Sequence, residues 1–316
     1  MSSKGNTFLW DQFNLHFIVF IWGFTAILGR YISLDAFDLV FNRTAITAVA
    51  ILLYLLARRR KIGATRSELL KMFIYGSIIA VHWITFFGAI KIANVSIALA
   101  GISTGALFSA LLKPLLGGGK IHLQELALGA IVIFGISIIF YEEPNAALIR
   151  TYDYAGIQMT NYQLGLIVAL ISAALSATFS LLNAKLVAAY PHPVQITFWE
   201  MAFAFFALFI VDLLFGSHNP MTLWATDQSD ILYLFLLSLL CTAYPFIKSV
   251  ELLKRLSPFT VMLAINLEPV YGILLAALLF GAEESMTTQF YFGVIIILGT
   301  VITNGIIKAQ KRKSLS

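Results

Sequence analysis

The 316-residue sequence predicts an all-α integral membrane protein: ten transmembrane helices arranged as two inverted five-helix repeats. Three observations carry that prediction. Hydrophobic residues make up 59% of the chain and charged residues only 12%, where a soluble domain holds about 25% charged. Ten apolar runs each approach the roughly 20 residues that a helix needs to cross the hydrocarbon core. Residues 86–136 align without a gap on residues 250–300, a shift of 164.

The runs fall at about 14–32, 36–57, 69–90, 95–116, 124–141, 163–186, 194–215, 231–250, 259–280 and 289–307. Only a very short turn separates the first two. Basic residues orient them, because short cytoplasmic segments collect Lys and Arg. With the N-terminus inside, 17 of the 21 basic residues lie on inner segments, from Lys4 through Arg58–Lys61 to Lys313. The outer segments hold three, Arg30, Lys91 and Arg150, and Arg43 lies within a run. Both termini are therefore expected in the cytoplasm. An odd number of spans per half makes the second half enter the membrane upside down relative to the first. The expected units are residues 1–145, an outer connecting loop at 146–162, and residues 163–316 with a basic tail.

The same composition excludes several classes. No stretch longer than about 20 residues separates the runs, which leaves no room for a soluble catalytic domain. The net charge of +5 flanks membrane runs and does not form a nucleic-acid patch. Cys241 is the single cysteine, so no disulfide forms within the chain. The histidines, His16, His82, His122, His192 and His218, lack metal-ligand spacing, and no metal or other cofactor is expected. The N-terminal residues show no signal-peptide cleavage pattern, so the first run is read as a retained helix.

One stretch stands out. INLEPVYG (265–272) places Glu268 and Pro269 near the centre of the ninth run. A carboxylate there costs about 2.5–3.5 kcal/mol on the insertion scale for Asp, and Pro269 takes away a helix donor. Inverted five-helix repeats with a broken central helix are a transporter architecture, with the substrate site near the midplane.

These residues carry a family resemblance. LKRLSPFTVMLAINLEPVYGILLAALLFGAEE (253–284) is similar to the second repeat of the EamA-type transporters of the drug/metabolite transporter superfamily. Leu256, Ser257, Pro258, Glu268, Pro269, Gly281 and Glu284 fit the family pattern. IWGFTAILGR (21–30) resembles its first helix, and Arg43 stands where its second helix usually has an arginine. The first half departs: Gly105 replaces a proline, and Gly117, Gly118, Gly119 and Lys120 replace the glutamate region. The resemblance implies transport of a small organic metabolite, amino-acid-like or similarly amphipathic, with export the expected direction and often with proton coupling. It also implies a multi-pass location in the inner (plasma) membrane. Substrate, lipids and protons are the expected partners, and nucleic acid is not one. The sequence sets no oligomeric state, although ten spans suffice to enclose a path.

The candidate substrate or coupling residues are Trp22, Arg43, His82, Glu200, Tyr244, Glu268 and Tyr271. Glu268 either faces a polar cavity or ties neighbouring helices at the Pro269 bend. Arg43 either meets a substrate carboxylate or snorkels to the interface. Glu200 is expected to meet an amine or carry a proton, the alternative being a hydrogen-bonded tie. His82 is either a proton group or a packing histidine. Trp22 and Tyr244 offer flat surfaces with polar tips. Asn183 reads as a helix tie and Lys248 as an inner-face anchor.

GISTG (101–105) matches the nucleophile elbow of serine hydrolases, which makes an intramembrane hydrolase using Ser103 and His82 the alternative function. That motif needs a strand before the serine, and a membrane helix precedes it here. Gly101, Gly105 and Ser109 read instead as a small-residue packing face, as do Ser172, Ser176 and Ser180. GGGK (117–120) lacks the rest of a phosphate loop and reads as a turn.

Overall fold

The computed structural model describes residues 2–60, 62–116, 123–141, 148–154, 156–190, 192–215, 227–253, 264–265 and 267–313. It is a helical bundle. In chain order the helices are α1 (Ser2–Tyr31), α2 (Ala36–Ala57), α3 (Arg66–Ile92), α4 (Val95–Ile102), α5 (Gly105–Leu116) and α6 (Leu123–Phe140). A hairpin follows, β1 (Thr151–Tyr154) and β2 (Ile157–Thr160), and then α7 (Asn161–Ala189), α8 (Pro193–Phe215) and α9 (Gln228–Phe235). A π-helical segment (Leu236–Ala243) continues into α10 (Tyr244–Leu253), and α11 (Glu268–Phe280) and α12 (Thr288–Lys313) complete the chain.

Six helices are long and apolar enough to cross a membrane, or seven if the bent pair α4–α5 is one span. The protein is therefore a multi-pass membrane protein. Ala127–Phe140 and Thr288–Thr303 are shorter apolar helices. Helix starts follow local capping chemistry. Thr65 with Glu68 and Thr160 with Gln163 form capping boxes at α3 and α7, while Asp35 and Asn94 cap α2 and α4.

Two expectations need correction. The connecting segment is not wholly loop: β1 and β2 pair antiparallel from Thr151↔Thr160 to Tyr154↔Ile157. Gly156 allows the turn with φ +85°. The fourth run is also not one straight helix, because its two parts bend by 43° after Ile102. The ninth run is described only from Ala264 onward, and its helix begins afresh at Glu268. Leu256, Ser257, Pro258 and Gly117–Lys120 lie outside the described residues.

Packing crosses between the two halves. α2 packs on α8 and on the π segment, α3 on α7 and α8, α4 and α5 on α7, α1 on α11, and α6 on α12. Small residues set the closest approaches. A Cβ on Gly101 would lie 2.4 Å from the Ala169 Cβ, whereas one on Gly105 would meet nothing nearer than 3.9 Å. The packing face read from GISTG is therefore Gly101. A Cβ on Gly23 would lie 3.0 Å from the Gly272 backbone nitrogen and 3.1 Å from the Glu268 carbonyl oxygen, so α1 and α11 touch backbone to backbone.

One end of the bundle is tied by polar side chains. The Glu284 carboxylate, fully buried, accepts from the backbone N–H groups of Val95 (2.8 Å) and Ser96 (2.9 Å) at the start of α4. Burial pushes the Glu284 carboxyl above its usual range, and these two bonds pull it back. Asp230 accepts from the N–H (2.9 Å) and hydroxyl of Ser33, and Arg30 pairs with Glu283 at 2.9 Å. At the other end, the Tyr190 hydroxyl donates to the Gly63 carbonyl (2.8 Å) and Trp199 Nε1 to the Ile62 carbonyl (2.9 Å).

Candidate functional site

The centre of the bundle is where both broken helices restart. Under the 164-residue shift, Thr104 corresponds to Glu268 and Gly105 to Pro269. α5 begins at Gly105, and α11 carries Pro269 in its first turn. A proline there forfeits no hydrogen bond, since first-turn N–H groups lack helical partners anyway. An acidic side chain at a helix N-terminus is also favoured by the helix dipole. The Glu-Pro pair thus becomes admissible once the ninth run is two pieces. At the other break, hydroxyls mend the backbone: Thr104 Oγ1 donates to the Gly101 carbonyl (2.7 Å) and Ser103 Oγ to the Ala100 carbonyl (2.6 Å).

Arg43, on α2, is 2% exposed. Its guanidinium carbon lies 3.8 Å from the centroid of the Trp83 ring and 5.4 Å from that of Phe87, both on α3. Its Nε donates to Thr242 Oγ1 at 2.9 Å. Snorkelling to the interface is therefore not its arrangement. Its Nη1 is buried with no hydrogen-bond partner among the described residues.

Thr242 owes its position to a helix irregularity. Pro245 has no N–H to offer the Cys241 carbonyl and would collide with it in a regular helix. The chain widens into the π segment just before that proline. The Thr242 hydroxyl then donates to the Leu237 carbonyl (2.8 Å), five residues back, and turns its lone pairs to Arg43.

Glu268 is partly buried and within electrostatic reach of Arg43. Arg30–Glu283 is the one ion pair among the described residues, so Arg43 and Glu268 attract without touching. Cys241 and His82 also lie within reach of Arg43. His82 Nδ1 is 3.0 Å from the Ser172 carbonyl oxygen, and the Ser172 hydroxyl donates to the His82 carbonyl (2.9 Å). His82 and Ser103 thus bond to different partners, and no Ser103–His82 pair is assembled.

The other candidates lie apart from this group. Glu200 on α8 is 1% exposed, with both carboxylate oxygens lacking partners among the described residues. It sits where α3 and α8 cross so closely that a Cβ on Gly76 would lie 2.4 Å from its carbonyl oxygen. Trp22 meets Phe246 edge-on at 6.3 Å. The Tyr271 hydroxyl is 3.3 Å from His16 Nδ1, and its ring meets Phe20. Tyr244 is 38% exposed at the bundle surface. Sequence reading missed Trp83 and Thr242; TAYP (242–245), a hydroxyl three residues before a mid-run proline, was the available signal. Among the described residues no group of three or more His, Cys, Asp or Glu could hold a metal ion.

Membrane-buried charge at midspan helix breaks, in a bundle whose halves interlock, is the layout of a membrane transport protein. The model of the EamA-like transporter family matches residues 13–141 and 163–305, and the chain belongs to that family. Its general function is transport across a membrane. No curated protein matches the sequence. One solved structure, titled "Crystal structure of protein", covers 94% of this chain and 96% of its own at 16% identity, with a TM-score of 0.59. At that identity the likeness is one of fold.

Proposed function

We propose that this protein is a secondary transporter that moves a small, amphipathic organic metabolite by alternating access between two inverted five-helix halves. The observation that carries this reading is Arg43, buried at the bundle centre with a free Nη1 and an uncontacted counter-charge, Glu268, at a mid-membrane helix break. Two further features support the halves. The family matches one segment in each. Packing is also reciprocal: α4 of the first half lies on α7, the first helix of the second, while α11 lies on α1.

On this reading the units are 1–145 and 163–316, joined by the hairpin-bearing segment 146–162. Both termini lie in the cytoplasm of a plasma-membrane protein, and export is the direction. Lipid meets the exposed apolar side chains, such as Leu53, Leu278 and Ile295. Glu268, Glu200 and His82 are the proton candidates, and Trp22 and Tyr271 line the path beside α1 and α11. The test is uptake and efflux by the full chain in proteoliposomes against a metabolite panel, with and without a pH gradient. Saturable flux of at least one compound supports the reading, and flux no greater than in empty liposomes overturns it.

A further inference from the structure

We propose that the substrate carries a carboxylate, and that this carboxylate replaces Glu268 as the counter-charge of Arg43, so that substrate and one proton bind together. The inference rests on the transporter reading and deepens it. Its starting point is the way Arg43 is held. Trp83 covers one face of the guanidinium and Thr242 takes Nε, which fixes the plane of the fork. Nη1 is left buried and unpaired. A buried guanidinium donor without an acceptor is costly, and its planar fork suits carboxylate geometry.

Glu268 does not fill that role in this structure, because it makes no ion pair with Arg43. Its reach to Arg43 is electrostatic only. The space between them is bounded on the α1 side, where Gly23 touches the Glu268 backbone, and on the π-segment side, where Cys241 hydrogen-bonds with Thr25 of α1. The charged or titratable groups within reach of Arg43 are His82 on α3, Cys241 on the π segment and Glu268 on α11. Arg43 is the one such group felt by Glu268.

A low-dielectric site that holds one cation tolerates one counter-charge better than two or none. With no substrate, ionised Glu268 balances Arg43. A substrate carboxylate arriving at Nη1 makes Glu268 the surplus anion, and Glu268 takes a proton from water on the side to which the site is open. The substrate anion and the proton then sit in the site together, and their charges cancel. Thr242 is a positioning residue, since it fixes Nε and thereby aims Nη1.

The experiment uses the full chain in detergent with a panel of small aliphatic and aromatic monocarboxylates and their matching primary amides. Binding is read by calorimetry in two buffers of different ionisation enthalpy, which counts protons. Carboxylates should bind at least about tenfold more tightly than their amides, with about one proton taken up per carboxylate bound, and affinity should fall as pH rises through the ionisation of Glu268. Glu268→Gln should bind the same carboxylates at least as tightly but take up no proton. Arg43→Lys, and independently Thr242→Val, should erase the carboxylate preference while leaving amide binding unchanged. Either variant suffices if the other does not fold. The proposal is overturned if no carboxylate outbinds its amide, if Glu268→Gln still takes up a proton, or if the preference survives in a folded variant. Flux of the same panel in proteoliposomes separates the two readings. Transport without carboxylate preference removes this inference alone, whereas proton-linked binding without flux of any compound removes the transporter reading.

Discussion

The Arg43 guanidinium lies 3.8 Å from the centre of the Trp83 ring, joining α2 to α3 in the interior of the bundle. A desolvated cation–π contact contributes on the order of 2 kcal/mol. The ring also blocks one face of the guanidinium, which leaves its edges to choose partners. Trp83→Leu should therefore weaken apparent substrate affinity in proteoliposome flux by roughly 5–30-fold, equal to about 1–2 kcal/mol. Trp83→Phe should recover part of that loss. Unchanged affinity in a well-folded Trp83→Leu protein would show that the stack contributes only to packing.

Glu268→Gln preserves the size of the side chain and removes its titration. If Glu268 carries the coupled proton, this variant should lose pH-driven accumulation and keep substrate exchange. If the carboxyl is only a tie at the Pro269 break, Glu268→Gln should resemble wild type, and Glu268→Ala should lower the melting temperature. Normal proton-driven accumulation by Glu268→Gln would shift the coupling role to Glu200 or His82.

These tests depend on different kinds of legibility. Ten apolar runs and the skew of basic residues are one-dimensional signals, and the six long helices follow the runs closely. Glu268–Pro269 was conspicuous because both residues are costly in a continuous apolar helix. Trp83 and Thr242 cost nothing at their positions, and their role appears only when α2, α3 and the π segment meet at Arg43. Tyr244 shows the complementary effect. Extra residues in a π turn rotate whatever follows by about 100° each, so a side chain placed by regular helical spacing ends up 38% exposed. Of GISTG, the spacing exposed a small-residue face, but only the structure separates Gly101, in contact with Ala169, from Gly105, which starts α5.

That separation is testable. A methyl group on Gly101 would overlap Ala169 at 2.4 Å. Overpacking of this kind costs about 1–3 kcal/mol. Gly101→Ala should lower the melting temperature, and Gly101→Leu should reduce it much further or abolish folding. Gly105→Ala has room, and Leu111→Ile, at a site 39% exposed, should be silent. Equal stability of Gly101→Leu and Leu111→Ile would remove the close contact between α4 and α7.

Orientation is checked with single cysteines in a Cys241→Ala background. Ser67 precedes the apolar part of α3, Gln158 lies on β2, and Gln310 lies in the last turns of α12, all three exposed. The skew of Lys and Arg places Ser67 and Gln310 inside and Gln158 outside. A membrane-impermeant maleimide applied to intact cells should label Gln158→Cys alone, and the other two only after permeabilisation. Labelling of Gln158→Cys and Gln310→Cys from the same side would rule out the arrangement of two five-helix halves.

The last prediction concerns Glu284, whose two oxygens accept from Val95 and Ser96 at distances of 2.8 and 2.9 Å. The bonds tie the segment after α11 to the start of α4, and so join the two halves at the end of the bundle that the basic-residue skew places outside. Glu284→Gln leaves one oxygen to serve two buried N–H groups. Losing one such bond costs about 1–3 kcal/mol, so the melting temperature should fall. If alternating access opens this end, the same change should also raise the reactivity of a cysteine placed at Ser96, fully buried here, toward external maleimide. Glu284→Asp, one methylene shorter, should fall between wild type and Glu284→Gln in both measurements. A lowered melting temperature with no change in Ser96→Cys labelling would make Glu284 a cap for α4 and nothing more. Raised labelling would make it a latch between the halves.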